Sequence, residues 1–163
     1  MAPLRDLGGR GGRPLRAALV LALVAWPVAA ALAQAAGESV PRFAVTVTLS
    51  PAAAKKIQAS GEQIRVWAYY YGEARKGVKA DEMGQISLGT QEVDIRGAGV
   101  AGLGGLTLPA GKLRGIAGRP EMLINVYTSR KVFKENLLNC DIFQDNPVKA
   151  AAGVSIGCKL IGE

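Results

Sequence analysis

The segment Ile64 to Tyr71, Ile-Arg-Val-Trp-Ala-Tyr-Tyr-Tyr, constrains the fold more than any other feature of the chain. Ile64, Val66, Ala68 and Tyr70 fall on one side of an extended backbone. Arg65, Trp67, Tyr69 and Tyr71 fall on the other. Period two with β-branched and aromatic residues predicts a half-buried strand. A second alternation sets Phe43, Val45, Val47 and Leu49 against Ala44, Thr46 and Thr48. Between the two strands, Ser50 suits a helix N-cap and Pro51 the first helical position. Gly61 suits the closing residue, so residues 52–59 predict a short helix of about two turns.

The same reading carries along the chain. Residues 34–41 are a polar lead-in and residues 72–84 a loop. Gln85 to Arg96 predicts two short strands, Ile86–Leu88 and Glu92–Arg96, broken at Gly89. Residues 97–119 are rich in glycine and read as a long loop holding one apolar piece, Leu106–Leu108. Met122 to Thr128 predicts a strand, followed by a basic, polar connection from Ser129 to Asn136. Leu137–Phe143 and Val154–Ile161 predict a final strand pair around the turn Asp145-Asn146-Pro147. Several short strands with frequent turns and little helix predict an all-β sandwich in a single domain.

The N-terminus places that domain. Arg5, Arg10, Arg13 and Arg16 precede an apolar run from Ala17 to Leu32, which ends in Ala31-Leu32-Ala33. This is the build of a secretory signal peptide over residues 1–33, with cleavage after Ala33 or Ala35. The run is interrupted by Pro27 and is shorter than the roughly 20 apolar residues of a spanning helix. Residues 34–163 are therefore expected as one exported domain, periplasmic or secreted, meeting the membrane only through the segment that is removed. Its two cysteines, Cys140 and Cys158, read as a disulfide in that setting. A bridge there puts Leu138, Cys140 and Ile142 on one face with Ile156, Cys158 and Leu160. Direct pairing then sets Leu138 opposite Leu160 and Ile142 opposite Ile156.

Charge and composition exclude more than they assign. Residues 1–33 hold four of the 20 basic and one of the 13 acidic residues, so a net charge of +7 falls to +4 on cleavage. That balance gives no reason to expect nucleic acid and only a weak pull toward anionic lipids or wall polymers. The chain has no histidine, which excludes a Ser-His-Asp triad and a histidine-ligated metal. Gly97-Ala98-Gly99-Val100-Ala101-Gly102 matches the glycine spacing of a dinucleotide-binding turn. Gly104, Gly105 and Pro109 then fall where the required helix should run, so the stretch reads as a surface loop and no cofactor is expected. Carboxylates occur in near pairs, Asp81-Glu82, Glu92/Asp94 and Asp141/Asp145, as a small hydrolase would need. Asp141, Asp145 and Asn146 also offer oxygen ligands, but not with the spacing of a calcium loop. No metal site is expected, and Arg130, Lys131 and Lys134 read as a solvated basic patch.

The strongest functional candidate is the row Arg65, Trp67, Tyr69 and Tyr71. If Ile64, Val66 and Ala68 face the core, these side chains face outward and form a flat amphipathic surface for a protein or a sugar. Residues 52–59 packed over the row would instead make it a second core.

The stretch Val45-Thr-Val-Thr-Leu-Ser-Pro-Ala-Ala-Ala-Lys through Gly61-Glu-Gln-Ile-Arg-Val-Trp-Ala resembles small periplasmic Ig-like or transthyretin-like modules. It looks in particular like the opening of the β-sandwich appended to some c-type cytochrome assembly factors. The cysteine pair and the glycine-rich stretch depart from that pattern. The resemblance implies an antiparallel Ig-like or transthyretin-like sandwich that binds rather than catalyses. The expectation is a non-catalytic module recognising an envelope protein or glycan. The alternatives are a carboxylate-dependent hydrolase and a structural subunit that pairs through an edge strand.

Overall fold

Residues 37–163 are described by a computed structural model. The signal-peptide reading of residues 1–33, and residues 34–36, lie outside the described residues. In chain order the elements are β1 (Glu38–Val40), β2 (Phe43–Leu49), α1 (Pro51–Ser60), β3 (Ile64–Ala74), β4 (Gln85–Ile95) and β5 (Gly99–Leu103). There follow β6 (Leu106–Leu108), α2 (Ala110–Leu113), β7 (Ile116–Thr128), β8 (Leu138–Cys140) and β9 (Phe143–Asp145). A 3-10 helix at Pro147–Ala152 and β10 (Val154–Leu160) complete the chain. The chain is mostly strand, as the alternations require. Among the described residues no helix is long and apolar enough to cross a membrane.

Two four-stranded sheets carry the fold. One has the order β5-β2-β10-β8 and the other β4-β3-β7-β9, with a separate β1-β6 ribbon. Val45, Val47, Ala101, Leu103 and Ile156 from the first sheet join Ile64, Val66, Ala68, Tyr70, Met122, Ile124 and Val126 from the second in one hydrophobic cluster. Each valine, leucine, isoleucine and methionine among them contributes on the order of 1.5–3 kcal/mol by leaving water. The chain crosses between sheets at both sides: edge strand β4 leads into edge strand β5, and β8 leads into β9. All pairings are antiparallel except β10 with β2, which is parallel and departs from the antiparallel expectation.

The helix forms where its caps are. The Ser50 side chain accepts from Ala53 N (3.1 Å), Pro51 opens the first turn, and Gly61 closes it at φ 71°. Ala53 and Ile57 are its buried face, set against β2 and β10. The helix therefore lies on the sheet that does not contain β3.

Three local expectations are corrected. First, β4 is one strand rather than two. Tyr70 lies opposite Gly89 and Tyr71 opposite Ser87, so Leu88 is the extra residue of a bulge and the ladder runs on past it. Second, the glycine-rich stretch is not a loop. Residues 99–103 pair antiparallel with β2 and residues 106–108 with β1. Its glycines serve the turn between them: Gly104 and Gly105 have φ of 78° and 69°. A Cβ on Gly104 would also collide with the Pro41 carbonyl oxygen. Gly104→Ala is expected to cost about 2 kcal/mol, read as a lower urea midpoint with unchanged slope. No helix follows the 97–102 glycines, because β pairing claims the residues that a dinucleotide fold would give to one.

Third, the segment 137–143 divides between sheets. Cys158 lies opposite Cys140 and Leu160 opposite Leu138, in the expected register, and the disulfide is formed. Ile142 does not meet Ile156. The chain leaves the first sheet at Asp141, whose N donates to Gly157 O (2.9 Å) and whose Oδ2 accepts from Gly157 N (3.1 Å). Phe143 then pairs with Ile124 of β7, while Ile156 pairs with Val47 of β2. Ile142 is left 63% exposed.

Candidate functional site

The outward face of the β4-β3-β7-β9 sheet gathers the aromatic row. Ile64, Val66 and Ala68 are fully buried, so Arg65, Trp67 and Tyr69 on the opposite face reach solvent and are partly exposed. The Trp67 and Tyr69 rings lie parallel, centroids 5.5 Å apart at 5°, and Tyr69 stacks in turn on Tyr71 at 5.3 Å and 12°. Stacking along one strand turns the ring faces toward each other and the ring edges toward solvent.

Tyr71 departs from the expected exposed row. It belongs to the stack but is only 4% exposed. Its hydroxyl donates to Glu121 Oε2 (2.8 Å) and accepts from Gln144 Nε2 (2.6 Å). Side chains from β7 and β9 thus close over that end of the ladder. Burial, followed by the Glu121 carboxylate, pushes the Tyr71 phenol up from its ordinary value. Tyr71 is a supporting ring, and Trp67 and Tyr69 are the accessible ones.

Arg65 is not a free cation. Its Nε donates to Asp94 Oδ1 (2.8 Å) and Nη2 to Asp94 Oδ2 (3.1 Å), while Nη1 meets Glu92 at 3.2 Å. Cross-strand pairing causes this, since Arg65 lies opposite Asp94 and Trp67 opposite Glu92. Lys131 Nζ reaches the same Asp94 at 2.8 Å. The hydrogen bonds from Arg65 outweigh partial burial and, with Lys131, bring Asp94 down to about 2. The Glu92/Asp94 pair is therefore neutralised by cations, which does not suit it to protonate a substrate.

The neighbouring strand adds residues that were not singled out in the sequence. Leu123, Asn125 and Tyr127 of β7 lie opposite Tyr69, Trp67 and Arg65. Pairing of β7 with β9 stops at Ile124. Beyond it a groove of about 420 Å³ opens, lined by Asn125, Tyr127, Arg130, Asn139 and Ile142. Arg130 places its guanidinium carbon 5.9 Å from the Tyr127 ring centroid. It has a positive φ of 60° and no carboxylate partner among the described residues. The alternation from Met122 to Thr128 carried the signal for Asn125 and Tyr127, because it separates them from the buried Met122, Ile124 and Val126.

Glu62 holds this end together. The residue is 1% exposed. Its carboxylate accepts from the backbone N–H of Gln63 (2.8 Å), Lys131 (3.2 Å), Val132 (2.8 Å) and Phe133 (2.9 Å), and from the Ser129 hydroxyl (2.9 Å). Burial by itself would raise its pKa. The N–H groups of Phe133, Val132 and Gln63 and the Ser129 hydroxyl reverse that and lower it from 4.5 to about 2. The 129–133 connection is wrapped on one carboxylate, and that wrapping sets Arg130 over Tyr127 and Lys131 on Asp94.

The other acidic pairs do not come together as chemistry. Asp81 turns into its own loop and accepts from Met83 N and Gln85 N. Asp141 and Asp145 sit on opposite sides of the sheet crossing. Lys149, then the Asn146 N–H, hold Asp145 below its ordinary range, the reverse of what a general acid needs. A cleft of about 580 Å³ does bring Glu73, Glu121 and Asp145 to one surface, with Glu121 engaged by Tyr71. Among the described residues no group of three or more Asp, Glu or Cys side chains is placed to hold a metal ion.

Comparison with known protein families, with curated proteins and with solved structures gives no match.

Proposed function

We propose that this chain is an exported, non-catalytic binding module, built as an Ig-like or transthyretin-like sandwich, that acts in the periplasm or outside the cell. Its partner, an envelope protein or glycan, meets the face formed by Trp67, Tyr69, Asn125 and Tyr127. The observation that carries this reading is the parallel Trp67–Tyr69 pair on the solvent side of a central strand, continuous with the groove below Arg130. Ring edges, an amide and a guanidinium without an acidic partner suit a protein surface better than a sugar ring, which seeks an open ring face. Arg65 and Tyr71 support that face from within the sheet.

Paired pull-downs from envelope extract test this. The Trp67→Ala/Tyr69→Ala variant should lose a partner that wild type and Val100→Glu, altered at the far edge of the other sheet, both retain. Its stability should fall by about 2–3 kcal/mol, the order of the two lost ring stacks with their partial burial, and the fold should be retained. Retention of every partner by the double variant would sink the reading, as would its unfolding.

One observation favours a second reading. β4 is an edge strand of 11 residues, long enough to template a neighbour. The Leu88 bulge and the carboxylates of Glu92 and Asp94 oppose flat strand addition there, which makes edge pairing the lesser proposal.

A further inference from the structure

We infer that the end of the molecule bearing the β3–β4 loop docks on an anionic lipid surface. This goes beyond membrane contact through the N-terminal segment alone. Two stretches meet at this end: loop residues 75–84, and residues 110–119 running from α2 into β7. Arg75 joins them, its N donating to Gly115 O (2.8 Å) and its Nε to Ile116 O (2.7 Å). Val78 lies against Gly115, where a Cβ would come within 3.3 Å of its Cγ1.

These stretches hold Arg75, Lys76, Lys79, Lys112, Arg114 and Arg119, against Asp81 and Glu82. None of the six cations is ion-paired among the described residues. The Asp81 carboxylate is spent on its own loop. Glu38, Glu73, Glu121 and Asp145 stand at the margin of the patch, in the adjoining clefts, with Glu121 engaged by Tyr71 and Asp145 by Lys149. On the same loop Met83 is 80% exposed and Val78 42% exposed. Exposed apolar side chains on a loop that also carries lysines and arginines match the headgroup boundary of a bilayer. There the apolar groups enter the interface and the cations meet anionic headgroups. A nucleic acid would use the cations and leave Met83 and Val78 in water.

The described domain begins at Gly37, which lines a cleft of about 700 Å³ with Arg75, Leu113 and Arg114. Arg65 and Tyr127 lie at the far ends of β3 and β7 from this patch. Docking by the 75–84 loop would therefore leave the groove under Arg130 directed away from the lipid.

The test uses protein recovered from expressing cells, its N-terminus defined by mass spectrometry, with an environment-sensitive dye on Met83→Cys. Probes are vesicles of phosphatidylcholine alone and of phosphatidylcholine with phosphatidylglycerol. Expected is a blue shift with anionic vesicles only, weakened as salt rises above about 0.1 M. Lys76→Glu/Lys79→Glu should bind about tenfold or more weakly. The same dye on Val100→Cys, exposed on the other sheet, should not shift. Every variant carries the same N-terminus, so any residual tether contributes equally. Equal binding to neutral vesicles, indifference to the charge reversal, an equal shift at Val100, or no binding would each overturn the proposal. Loss of the Trp67/Tyr69 partner leaves these readouts unmoved, so the two proposals fail separately.

Discussion

Replacing Glu62 with alanine should lower the stability of the domain by about 3 kcal/mol at neutral pH. The substitution strands four backbone N–H groups and the Ser129 hydroxyl, donors that now converge on one buried carboxylate. Solvent is poorly placed to replace it, because the residue is 1% exposed. Glu62→Gln keeps one acceptor oxygen and turns an NH₂ toward donors, so it should cost roughly half as much. Titration gives an independent readout. The folded pKa of about 2 lies below the ordinary 4.5, so the contribution is complete above pH 4.5 and is lost as pH falls toward 2. A shift of that size corresponds to about 3 kcal/mol, in keeping with the alanine figure. Asp94, lowered from 3.8 to about 2, loses its contribution in the same direction over a slightly lower window. Chemical denaturation from pH 7 to pH 2 should therefore show a steep acid limb in wild type and a flatter one in Glu62→Gln. An acid limb identical in the two proteins would refute the assignment. Because Glu62 positions the 129–133 connection, the same variant should also loosen Arg130 from Tyr127 and weaken any partner held in the groove.

Reducing the Cys140–Cys158 bridge should lower stability by about 3 kcal/mol, the loop-closure value for residues 18 apart in sequence. For a domain of this size that is a drop in thermal midpoint on the order of 10 °C. The loss should begin locally. β8 is a three-residue edge strand whose ladder partner among the described residues is β10 alone, and the bridge links the two at opposed positions. Ser50 N donates to Cys158 O at the start of α1, so loosening there should reach the helix cap. Hydrogen exchange should find new opening at residues 138–143 and 50–53 while β3 and β7 stay protected. Far-UV circular dichroism should change little, because the two sheets keep their shared core. A midpoint unmoved by full reduction, with two free thiols counted, would contradict this.

Strands with one dry face were legible in the sequence, and their register partly so. The alternations at 43–49 and 64–71 mark β2 and β3, because a half-buried strand must alternate. The α1 boundaries were legible in Ser50, Pro51 and Gly61, whose roles depend on local backbone geometry alone. Leu138 opposite Leu160 followed from the bridge, since a disulfide between paired strands fixes its neighbours. The stretch 97–119 was misread because strand β5 pairs through its backbone and carries few side chains to announce it. Gly99 and Gly102 take their places in the ladder opposite Val47 and Ala44 as readily as any residue, and only the neighbour reveals them. The burial of Tyr71 was not legible for a similar reason. Its face on the strand is set by parity, but its burial comes from Glu121 and Gln144 on two other strands.

The sequence by itself determined that these residues form alternating strands, where the helix begins and ends, and that Trp67 and Tyr69 share a side of one strand. Those properties rest on backbone periods and local caps that a residue carries with its nearest neighbours. Tertiary structure alone decided which sheet each strand joins and that the chain changes sheet after Cys140. It also decided that Arg65 is held by Asp94 and that a groove opens beside Tyr127. Each of these depends on pairing between segments tens of residues apart, where backbone hydrogen bonding is indifferent to side-chain type and only the shared core selects the partner.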